Sequence, residues 1–494
     1  MSSDTPRVDD PAVLAALRER LRELSFTADG IGEALGGDTL SRDPEDVPRY
    51  LRQLPEGTPL TAAVKLFLLD VPVEAGEAAA ALAPVPLERL ERLGVLARTD
   101  GGVAGRLALT PLGDLLIASD RYEGPGGGRP DHVVGTSISS RALAAVTTRR
   151  RVTSALDVGT GSGVQALELA RHADRVVAVD VNPRAAAFAR FNMALNGCTN
   201  VEVREGNLFE PVEGERFELV VSNPPYVISP ESEFVYRDSG LPGDSFSEGL
   251  VRRLPEFLLE GAFAHVLVEW AHGRDEPWAA PLRRWVQGGG CDALLLRFTT
   301  QEPARYAAAW NSDLRAVPGA FEEALDRWLA YHRRLGIEEI SWGAVVLRRR
   351  AGESWVLAHD LPSTRLAPSG EHIQRIFGTR DHLASLGIGR GLLESVFALA
   401  DDHVFEQRFE IRGGERVVRE TDIRLERGLR FEAELQPEAE RVLTLLDGTR
   451  PLGEAIGEVA GHGGFQQLVG ELLPGIVRLV ELGFLIPLDV DQVS

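Results

Sequence analysis

The chain has 494 residues, of which 44% are hydrophobic and 26% charged, which is enough for a globular protein of about three domains. Its formal net charge of −21 argues against a protein that holds nucleic acid mainly through phosphates, because such binding depends on Lys and Arg. The two cysteines, Cys198 and Cys291, exclude a disulfide scaffold and a cysteine-based zinc site, and they suit a reducing compartment.

The start of the chain predicts no targeting signal. Residues 1–4 are acidic and lack the apolar core of a signal peptide. No apolar run approaches the ~18 residues that a membrane-spanning helix needs. We therefore expect a cytoplasmic protein that makes no membrane contact.

Residues 1–122 predict an N-terminal helical domain with a winged-helix-like end. The predicted elements are a helix with Leu14, Leu17, Leu21 and Leu24 on one face, helices over 62–69 and 87–93, and a two-stranded wing of 95–97 and 107–109. Residues 1–120 contain 12 Lys and Arg against 20 Asp and Glu. That balance favours protein contact or a scaffolding role over DNA binding.

The glycine-rich segment 124–130 predicts a linker, and residues 131–361 then alternate strand-like and helical runs. The predicted strands lie near 156–158, 176–179, 201–203, 219–221, 266–268, 292–298 and 340–347. Short apolar, β-branched runs separated by helices are typical of a doubly wound α/β sheet. We expect a seven-stranded, Rossmann-like core.

Residues 362–494 predict a C-terminal α+β domain. Three alternating runs, 404–411, 417–425 and 429–434, are separated by glycines and predict an antiparallel meander. Helices over 439–446 and 475–482 follow, and they allow a second winged-helix-like module near 437–490. We expect the terminal domains to bind a protein partner.

A glycine-rich turn follows the first core strand. The run from Asp157 to Gly163 contains Gly159 and Gly161, and such glycines let a backbone pass close under a ligand. Asp180 ends the second strand, where its carboxylate can accept hydrogen bonds from ribose hydroxyls. Taken alone, the run also fits a dinucleotide fingerprint or a tight structural turn.

A second motif, Asn223-Pro224-Pro225-Tyr226, follows the fourth strand. Ligands of open α/β sheets bind at the carboxyl ends of strands, so we expect the motif to lie beside the glycine turn. Consecutive prolines remove two donors and fix φ, which leaves the Asn223 side-chain oxygen and the Pro224 carbonyl as acceptors on a rigid platform. A structural turn that caps the strand is the alternative.

This platform suits a planar –NH2 group. Two acceptors that bind both hydrogens favour a pyramidal nitrogen with its lone pair directed outward, and they stabilise positive charge that grows there. The Tyr226 ring can stack on the flat substrate face. Methyl transfer from a sulfonium then needs placement more than a strong base, and oriented intramolecular reactions reach effective molarities of ~10⁵–10⁸ M.

On these two motifs, the sequence resembles the class I S-adenosylmethionine-dependent methyltransferases that modify exocyclic or amide nitrogens. The resemblance covers roughly 132–300 and implies that S-adenosylmethionine is the cofactor. The cofactor-binding residues it implies are Asp157, Gly159, Gly161, Gly163, Asp180, Val181, Asn207, Leu208 and Asn223. The family usually carries Asp at the adenine-binding position where this chain has Asn207, whose side-chain oxygen can still accept from the adenine amine.

The resemblance also implies that Asn223, Pro224 and Tyr226 are the catalytic residues. Within the family, Asn-Pro-Pro-Tyr is typical of release-factor glutamine methyltransferases and of several adenine methyltransferases. The stretches 235–243 and 248–254 are similar in part to the glutamine enzymes, although a flexible lid without substrate information is an equal interpretation. The acidic chain favours a protein substrate with a Gln-bearing loop, and the C-terminal extension departs from the glutamine family.

Other residues were weighed for chemistry. His265 and His272 bracket Glu269 at the fifth strand end, but they lack metal-ligand spacing, so we expect no metal site. Glu269 either lines the pocket or packs at its rim. Local basic clusters, 149–151 and 348–350, leave a nucleic-acid contact open.

Three functions follow from these observations. The first is an N-methyltransferase that acts on a protein glutamine side chain. The second is the same chemistry on an adenine or guanine amine of RNA or DNA. The third is an adaptor that binds the cofactor without turnover.

Overall fold

The computed structural model describes residues 5–37, 44–121, 128–361, 367–386, 389–461 and 463–488. Its contacts divide the chain into two compact units, Met1–Ala144 with Arg151–Asp360, and Ala145–Arg150 with Leu361–Ser494. Residues 1–4, and residues 124–127 of the predicted linker, lie outside the described residues. None of the helices in the described ranges combines the length and apolar character needed to cross a bilayer.

The N-terminal part of the first unit is helical and ends in two hairpins. Its described helices are α1 (Pro11–Glu23), α2 (Ala28–Ala34), α3 (Val47–Gln53), α4 (Pro59–Phe67), α5 (Ala75–Leu82) and α6 (Leu87–Arg92), and its strands are β1 (Leu96–Thr99), β2 (Gly102–Gly105), β3 (Ala108–Leu112) and β4 (Leu115–Ser119). Side-chain caps start several helices, as where Thr58 accepts from the Thr61 N–H ahead of Pro59.

The predicted wing pairing is wrong. Strand β1 pairs with β2 across the turn Asp100-Gly101, and β3 pairs with β4, so 95–97 and 107–109 belong to different hairpins. A two-residue turn pairs the residues directly beside it, which makes Gly102 the partner of Thr99. An isolated antiparallel β-bridge between Val73 and Val103 pairs a third segment with the first hairpin.

The α/β core of the same unit follows. Its elements are α7 (Ile138–Val146), β5 (Val152–Val158), α8 (Val164–Leu169), β6 (Ala173–Asp180), α9 (Pro183–Asn196), β7 (Val201–Glu205), β8 (Phe217–Ser222), α10 (Ser245–Arg253), β9 (Leu258–His272), α11 (Ala280–Val286), β10 (Cys291–Gln301), α12 (Pro303–Trp310), α13 (Ala320–Leu335), β11 (Glu339–Arg349) and β12 (Val356–Asp360). Strands β5, β6 and β8 are almost entirely buried, which explains their apolar, β-branched sequences.

In the described part of the chain the central sheet has eight strands, in the order β12-β10-β11-β9-β8-β5-β6-β7, and not the seven expected from the sequence. The added strand, β12, lies at the edge and pairs in parallel with β10. It is short and only half-buried, so it lacks the continuous apolar run that marks the inner strands. The α/β Rossmann-like core itself is confirmed.

The sheet has a switch point between β5 and β8. From β5 the chain moves outward through β6 and β7, and it then returns to place β8 on the other side of β5. Both neighbours run parallel to β5. Ligands of such sheets bind where the strand order reverses, at the carboxyl ends.

Helix α9 joins the N-terminal part to the core. Apolar side chains of α9, including Phe188 and Phe191, belong to the same buried cluster as those of α1 and α4. On α9, the Asn192 amide accepts from the Ala118 N–H (2.7 Å) and donates to the Ala118 carbonyl (2.9 Å). Asn196 makes the same pair of bonds with Leu116. Two side-chain amides thus satisfy the backbone of β4 as a neighbouring strand would.

The second unit contains the C-terminal region. Its described elements are α14 (Gly370–Leu386), α15 (Arg390–Glu394), β13 (Val396–Leu399), β14 (His403–Arg412), β15 (Glu415–Leu425), β16 (Glu432–Leu435), α16 (Pro437–Thr444), β17 (Asp447–Pro451), α17 (Leu452–Ala460), α18 (Phe465–Glu481) and β18 (Leu485–Leu488). The predicted meander is present as β14-β15-β16. The predicted helix 475–482 starts earlier, because α18 continues through Pro474.

We expect Asn192→Ala to lower the free energy of unfolding by about 2–4 kcal/mol, because it leaves buried backbone groups of Ala118 and Ser162 without partners. Urea denaturation of the full chain measures the change. Asn207→Ala is the matched control, because that amide is exposed and makes one 3.5 Å contact. Equal stability of the two variants would contradict the assignment.

Candidate active site

The glycine turn is left-handed at Gly159, Gly161 and Gly163, with φ of 72°, 55° and 85°. A Cβ on Gly163 would lie 2.8 Å from Met193 Cε and 3.3 Å from Ala189 Cα, so this glycine lets α9 pack against the turn. A Cβ on Gly161 would meet no atom within 4 Å. The space above Gly161 is therefore open, as a ligand cradle requires.

Asp157 is buried at the base of the turn, with 1% of its surface exposed. Its Oδ2 accepts from the Thr160 hydroxyl (2.6 Å) and the Ala166 N–H (3.0 Å). Its Oδ1 is buried and has no hydrogen-bond partner among the described residues. Burial raises the pKa of Asp157 to about 7, against the opposing effect of these hydrogen bonds.

Asp180 connects the second strand to the turn. Its Oδ2 accepts from the Gly161 N–H (2.7 Å) and its Oδ1 from the Asn182 N–H (2.9 Å). Burial raises the pKa of Asp180, while these two N–H groups partly offset the effect. Each oxygen keeps a second lone pair, so the carboxylate can accept further hydrogen bonds from a diol.

The loop after β7 lies at the same edge of the sheet. The Gly206 N–H donates to the Asp180 carbonyl (2.9 Å), which brings this loop to the tip of β6. Asn207 is exposed and Leu208 half-buried. Val181 is 55% exposed, which is unusual for a valine next to a buried strand and leaves its side chain free to contact a ligand.

The Asn223 amide is oriented by a residue that the sequence analysis missed. Asn223 Nδ2 donates to the Ser139 hydroxyl at 3.2 Å, and Ser139 lies in the first turn of α7, 84 residues away. The side-chain oxygen of Asn223 has no hydrogen-bond donor in the described part of the chain, so it is left as an acceptor. The segment around Ser139 carries no recognisable motif, so only the folded chain reveals this contact.

The two predicted motifs are brought together. Val158 and Ser222 are directly paired in the parallel ladder, and the Ser222 hydroxyl donates to the Val158 carbonyl at 2.8 Å. A Cβ on Gly159 would lie 4.0 Å from Pro224 Cα. The glycine turn and the Asn-Pro-Pro-Tyr platform are therefore adjacent walls of one crevice.

Tyr226 is half-buried beside a buried carboxyl group. Burial is the main cause that raises the pKa of Tyr226, and the nearby Glu269 raises it further. Burial also raises the pKa of Glu269 to about 8. The Glu269 side chain is 5% exposed and accepts from the Tyr306 hydroxyl. Glu269 is therefore a buried carboxyl group behind Tyr226, bonded to Tyr306.

Residues 226–243, which we call the strap, are anchored to the protein and do not extend from it as a free lid. Arg237 binds Glu231 (2.8 Å) and Asp238 (2.9 Å), and Asp238 accepts from Ser229 and from the Phe234 N–H. Trp328 of α13 donates to Glu231 at 3.2 Å. These contacts give the strap a defined path past the crevice.

The described residues contain no cluster of His, Cys, Asp and Glu that could hold a metal ion. His265 is fully buried, and burial lowers its pKa to about 3, so it is neutral. His272 hydrogen-bonds Ser341 at 2.8 Å. Neither histidine faces a ligand set.

The switch point, the glycine turn with its strand-end carboxylate, and the Asn-Pro-Pro-Tyr platform are similar to the corresponding features of class I S-adenosylmethionine-dependent methyltransferases. Residues 135–236 match the family model described as "Methyltransferase small domain". Residues 23–106 match a second model, "Domain of unknown function (DUF7059)". The first match covers the glycine turn and the platform, and it implies S-adenosylmethionine as the methyl donor.

Part of the sequence is also similar to two curated proteins named as glutamine methyltransferases. The release factor glutamine methyltransferase of Geobacter sulfurreducens is 38% identical over 162 residues, 30% of this chain and 53% of that protein. The putative protein N5-glutamine methyltransferase of Methanocaldococcus jannaschii is 32% identical over 129 residues, 24% of this chain and 64% of that protein. The chain thus spans about half the length of the curated relatives it matches.

Among solved structures, a methyltransferase from Pyrococcus furiosus is 18% identical and covers 44% of this chain and 84% of its own. The TM-score of that match is 0.28, which is too low to carry an argument. The fold assignment therefore depends on the strand order and the family model.

We expect Asp180→Ala to weaken S-adenosylmethionine binding about 10- to 100-fold, because hydrogen bonds to a charged group contribute about 1.5–3 kcal/mol. Isothermal titration calorimetry measures the dissociation constant. Asp174→Ala, on the same strand but exposed, is the matched control and keeps wild-type affinity. Wild-type affinity in Asp180→Ala would remove this carboxylate from the site.

We expect Gly161→Ala to fold with a stability loss of about 1 kcal/mol, the cost of a left-handed alanine, yet to bind the cofactor at least about tenfold more weakly. The new methyl group enters the open space above the turn. Gly214→Ala is matched, because its φ is 81° and its Cβ also meets no atom within 4 Å. Equal cofactor affinity of both variants would show that no ligand occupies that space.

Proposed function

We propose that the chain is an S-adenosylmethionine-dependent N-methyltransferase that acts on a planar amide nitrogen, a protein glutamine side chain in particular. The observation that carries the proposal is the orientation of Asn223. Its amide nitrogen is engaged by Ser139, so its oxygen is the free acceptor next to the glycine turn. The relatives named for glutamine methylation support the choice of acceptor.

The residues around the turn fit the cofactor. Gly161 leaves open space, the Asp180 oxygens keep lone pairs for ribose hydroxyls, and Asp157 Oδ1 is a buried oxygen that no described residue hydrogen-bonds. Val181, Asn207 and Leu208 lie at the same edge and would contact the adenine. When bound, the cofactor supplies an electrophilic methyl group on a sulfonium.

The platform residues then act on the acceptor nitrogen. The Asn223 side-chain oxygen and the Pro224 carbonyl accept its two N–H groups, which directs the nitrogen lone pair towards the glycine turn. The same oxygens stabilise the positive charge that grows on nitrogen. Tyr226 packs on the flat face of the amide and excludes water. The new nitrogen–carbon bond would form as the carbon–sulfur bond breaks, and the methylated nitrogen, now strongly acidic, would lose one proton to solvent as the product leaves. Placement by these groups supplies the acceleration without a strong base.

Charge around the crevice favours a protein acceptor over nucleic acid. The strap arginine, Arg237, is paired with carboxylates, and so is Arg327 on α13. The basic cluster 348–350 lies at the opposite edge of the sheet, since Arg348 pairs with Phe263 near the start of β9, and its Arg348 and Arg350 bind Asp292. Cations already neutralised by carboxylates are poor phosphate ligands, so Arg237 and Arg327 do not favour a nucleic-acid site among the described residues of the strap and α13.

The terminal regions extend well beyond the matched methyltransferase segment, and we propose that they select a protein partner. In the N-terminal part, the carboxylates of α6 are paired with an arginine of β1, since Arg98 binds Glu88 and Glu91. A helix whose charges are satisfied in this way suits contact with protein more than with DNA.

Transfer of a tritiated methyl group from the cofactor to total protein or to total RNA separates the alternatives. Label in protein, recovered as N5-methylglutamine after digestion, is the expected result. Label in RNA or DNA would instead support a nucleobase amine as the acceptor. Tight cofactor binding with no transfer to either would support an adaptor without turnover.

We expect Asn223→Ala to lower kcat about 10²–10³-fold, because one of the two acceptors that stabilise the reacting nitrogen is lost. Cofactor binding, measured by calorimetry on the same preparation, should be retained, with a loss of affinity much smaller than the loss of kcat. Unchanged turnover would contradict the amine-binding role of the platform.

A further inference from the structure

The connection between β10 and β11 reaches the amine side of the crevice. These strands are antiparallel neighbours, which a short hairpin could join, yet α12 and α13 intervene. Buried residues of the insertion and of the strap form one apolar cluster, with Tyr226 partly buried at its margin. The strap contributes Val227 and Ile228, the insertion contributes Tyr306, Ala307, Trp328 and Tyr331, and β11 contributes Ile340. The insertion is therefore the packing partner of the residues that follow the platform.

Within this cluster, Ile228 is held through both of its backbone polar groups. Its N–H donates to the Tyr306 phenolic oxygen (2.9 Å), and its carbonyl accepts from His332 Nε2 (2.9 Å). The Tyr306 hydroxyl in turn donates to Glu269 on β9. Three separate segments, the strap, the insertion and the strand tip, thus meet in one hydrogen-bonded chain.

Water is kept out of this chain. Tyr306 is 3% exposed, and the rings of Trp310, Trp328 and His332 lie 6.3, 6.1 and 5.9 Å from its own ring. The Ile228 backbone also hydrogen-bonds the Glu269 carboxyl group, so Tyr306 and Glu269 hold the same N–H together. The loss of either bond weakens a buried contact that water cannot replace, so the position of Ile228 depends on this pair.

The platform is held from two directions. On one side Ser139 orients Asn223. On the other side Ile228, two residues beyond Tyr226, is fixed by the insertion. Tyr226 lies between these two anchors in the chain and packs against the same apolar cluster as Ile228, so we expect movement of Ile228 to shift Tyr226.

We propose that Tyr306, supported by Glu269, is a positioning residue: it fixes Ile228 and thereby sets the Tyr226 wall of the amine site. Its effect on catalysis rests on the proposed function, whereas its effect on the strap does not. Both residues act without touching the substrate.

The first test measures the strap itself. Tyr306→Phe in the full chain removes one hydroxyl and keeps the ring. We expect hydrogen–deuterium exchange of a peptide covering 226–230 to speed up at least about tenfold. Unchanged exchange there would overturn the inference.

Tyr331→Phe is the matched control. Its phenolic oxygen also accepts a strap N–H, from Gly243 at 2.8 Å, and it lies on the same insertion. We expect this variant to speed exchange near 243 and to leave 226–230 as in the wild type. Equal acceleration at 226–230 in both variants would mean general loosening, which contradicts a specific role for Tyr306.

The second test measures methyl transfer. We expect Tyr306→Phe to lower kcat about tenfold or more, with cofactor affinity and the KM for the acceptor within about threefold. Glu269→Gln keeps an acceptor for the Tyr306 hydroxyl and should retain most of kcat, whereas Glu269→Leu should not. A loss of thermal stability in Tyr306→Phe with kcat unchanged would reduce the residue to a structural role and overturn the inference.

The two tests fail separately. If the wild type transfers no methyl group to protein or nucleic acid, the proposed function is wrong, and the exchange experiment alone decides whether Tyr306 fixes the strap. If transfer occurs but the Tyr306 variant exchanges and turns over as the wild type does, the proposed function stands and the positioning role is wrong.

Discussion

The site depends on the parallel pairing of β5 with β8. That pairing puts Val158 next to Ser222, and the Ser222 hydroxyl adds a bond to the Val158 carbonyl. The glycine turn and the platform are the next residues of these two strands, so their adjacency follows from one register. A shift by a single residue would reverse the faces of the strand and separate the acceptors from the turn. The pairing of β5 with β8 is therefore needed to bring the two motifs together, whatever side chains the motifs carry.

The surroundings of this ladder are specified by polar side chains that satisfy backbone groups. Asn192 binds both Ala118 on β4 and the Ser162 carbonyl in the glycine turn, and Ser139 and Tyr306 perform similar tasks on the platform side. Buried groups of this kind cost free energy when unpaired and define a single geometry when paired. The crevice is consequently held at both walls by residues that need not meet a ligand.

Much of the core could be predicted from sequence, because its signals are local. Buried β-branched runs identified the seven predicted strands, and the spacing of Asp157, Gly163 and Asp180 identified the turn. The eighth strand, β12, was not predicted because an edge strand needs no continuous apolar run. The strands of the predicted wing were paired wrongly because two turns follow each other closely in this part of the chain. Ser139 and Tyr306 were missed for another reason: their partners lie 84 and 37 residues away, and only the fold brings them together.

Helix α9 is at once a crossover of the sheet and part of the interior of the N-terminal region. A protein cut back to the methyltransferase segment would expose the apolar face of this helix to water, and the amides of Asn192 and Asn196 would lose their partners on β4. The methyltransferase segment is therefore not expected to fold independently of the N-terminal part. A change that replaces the N-terminal part must supply other residues that bury α9. The sequences of the two parts are therefore constrained together.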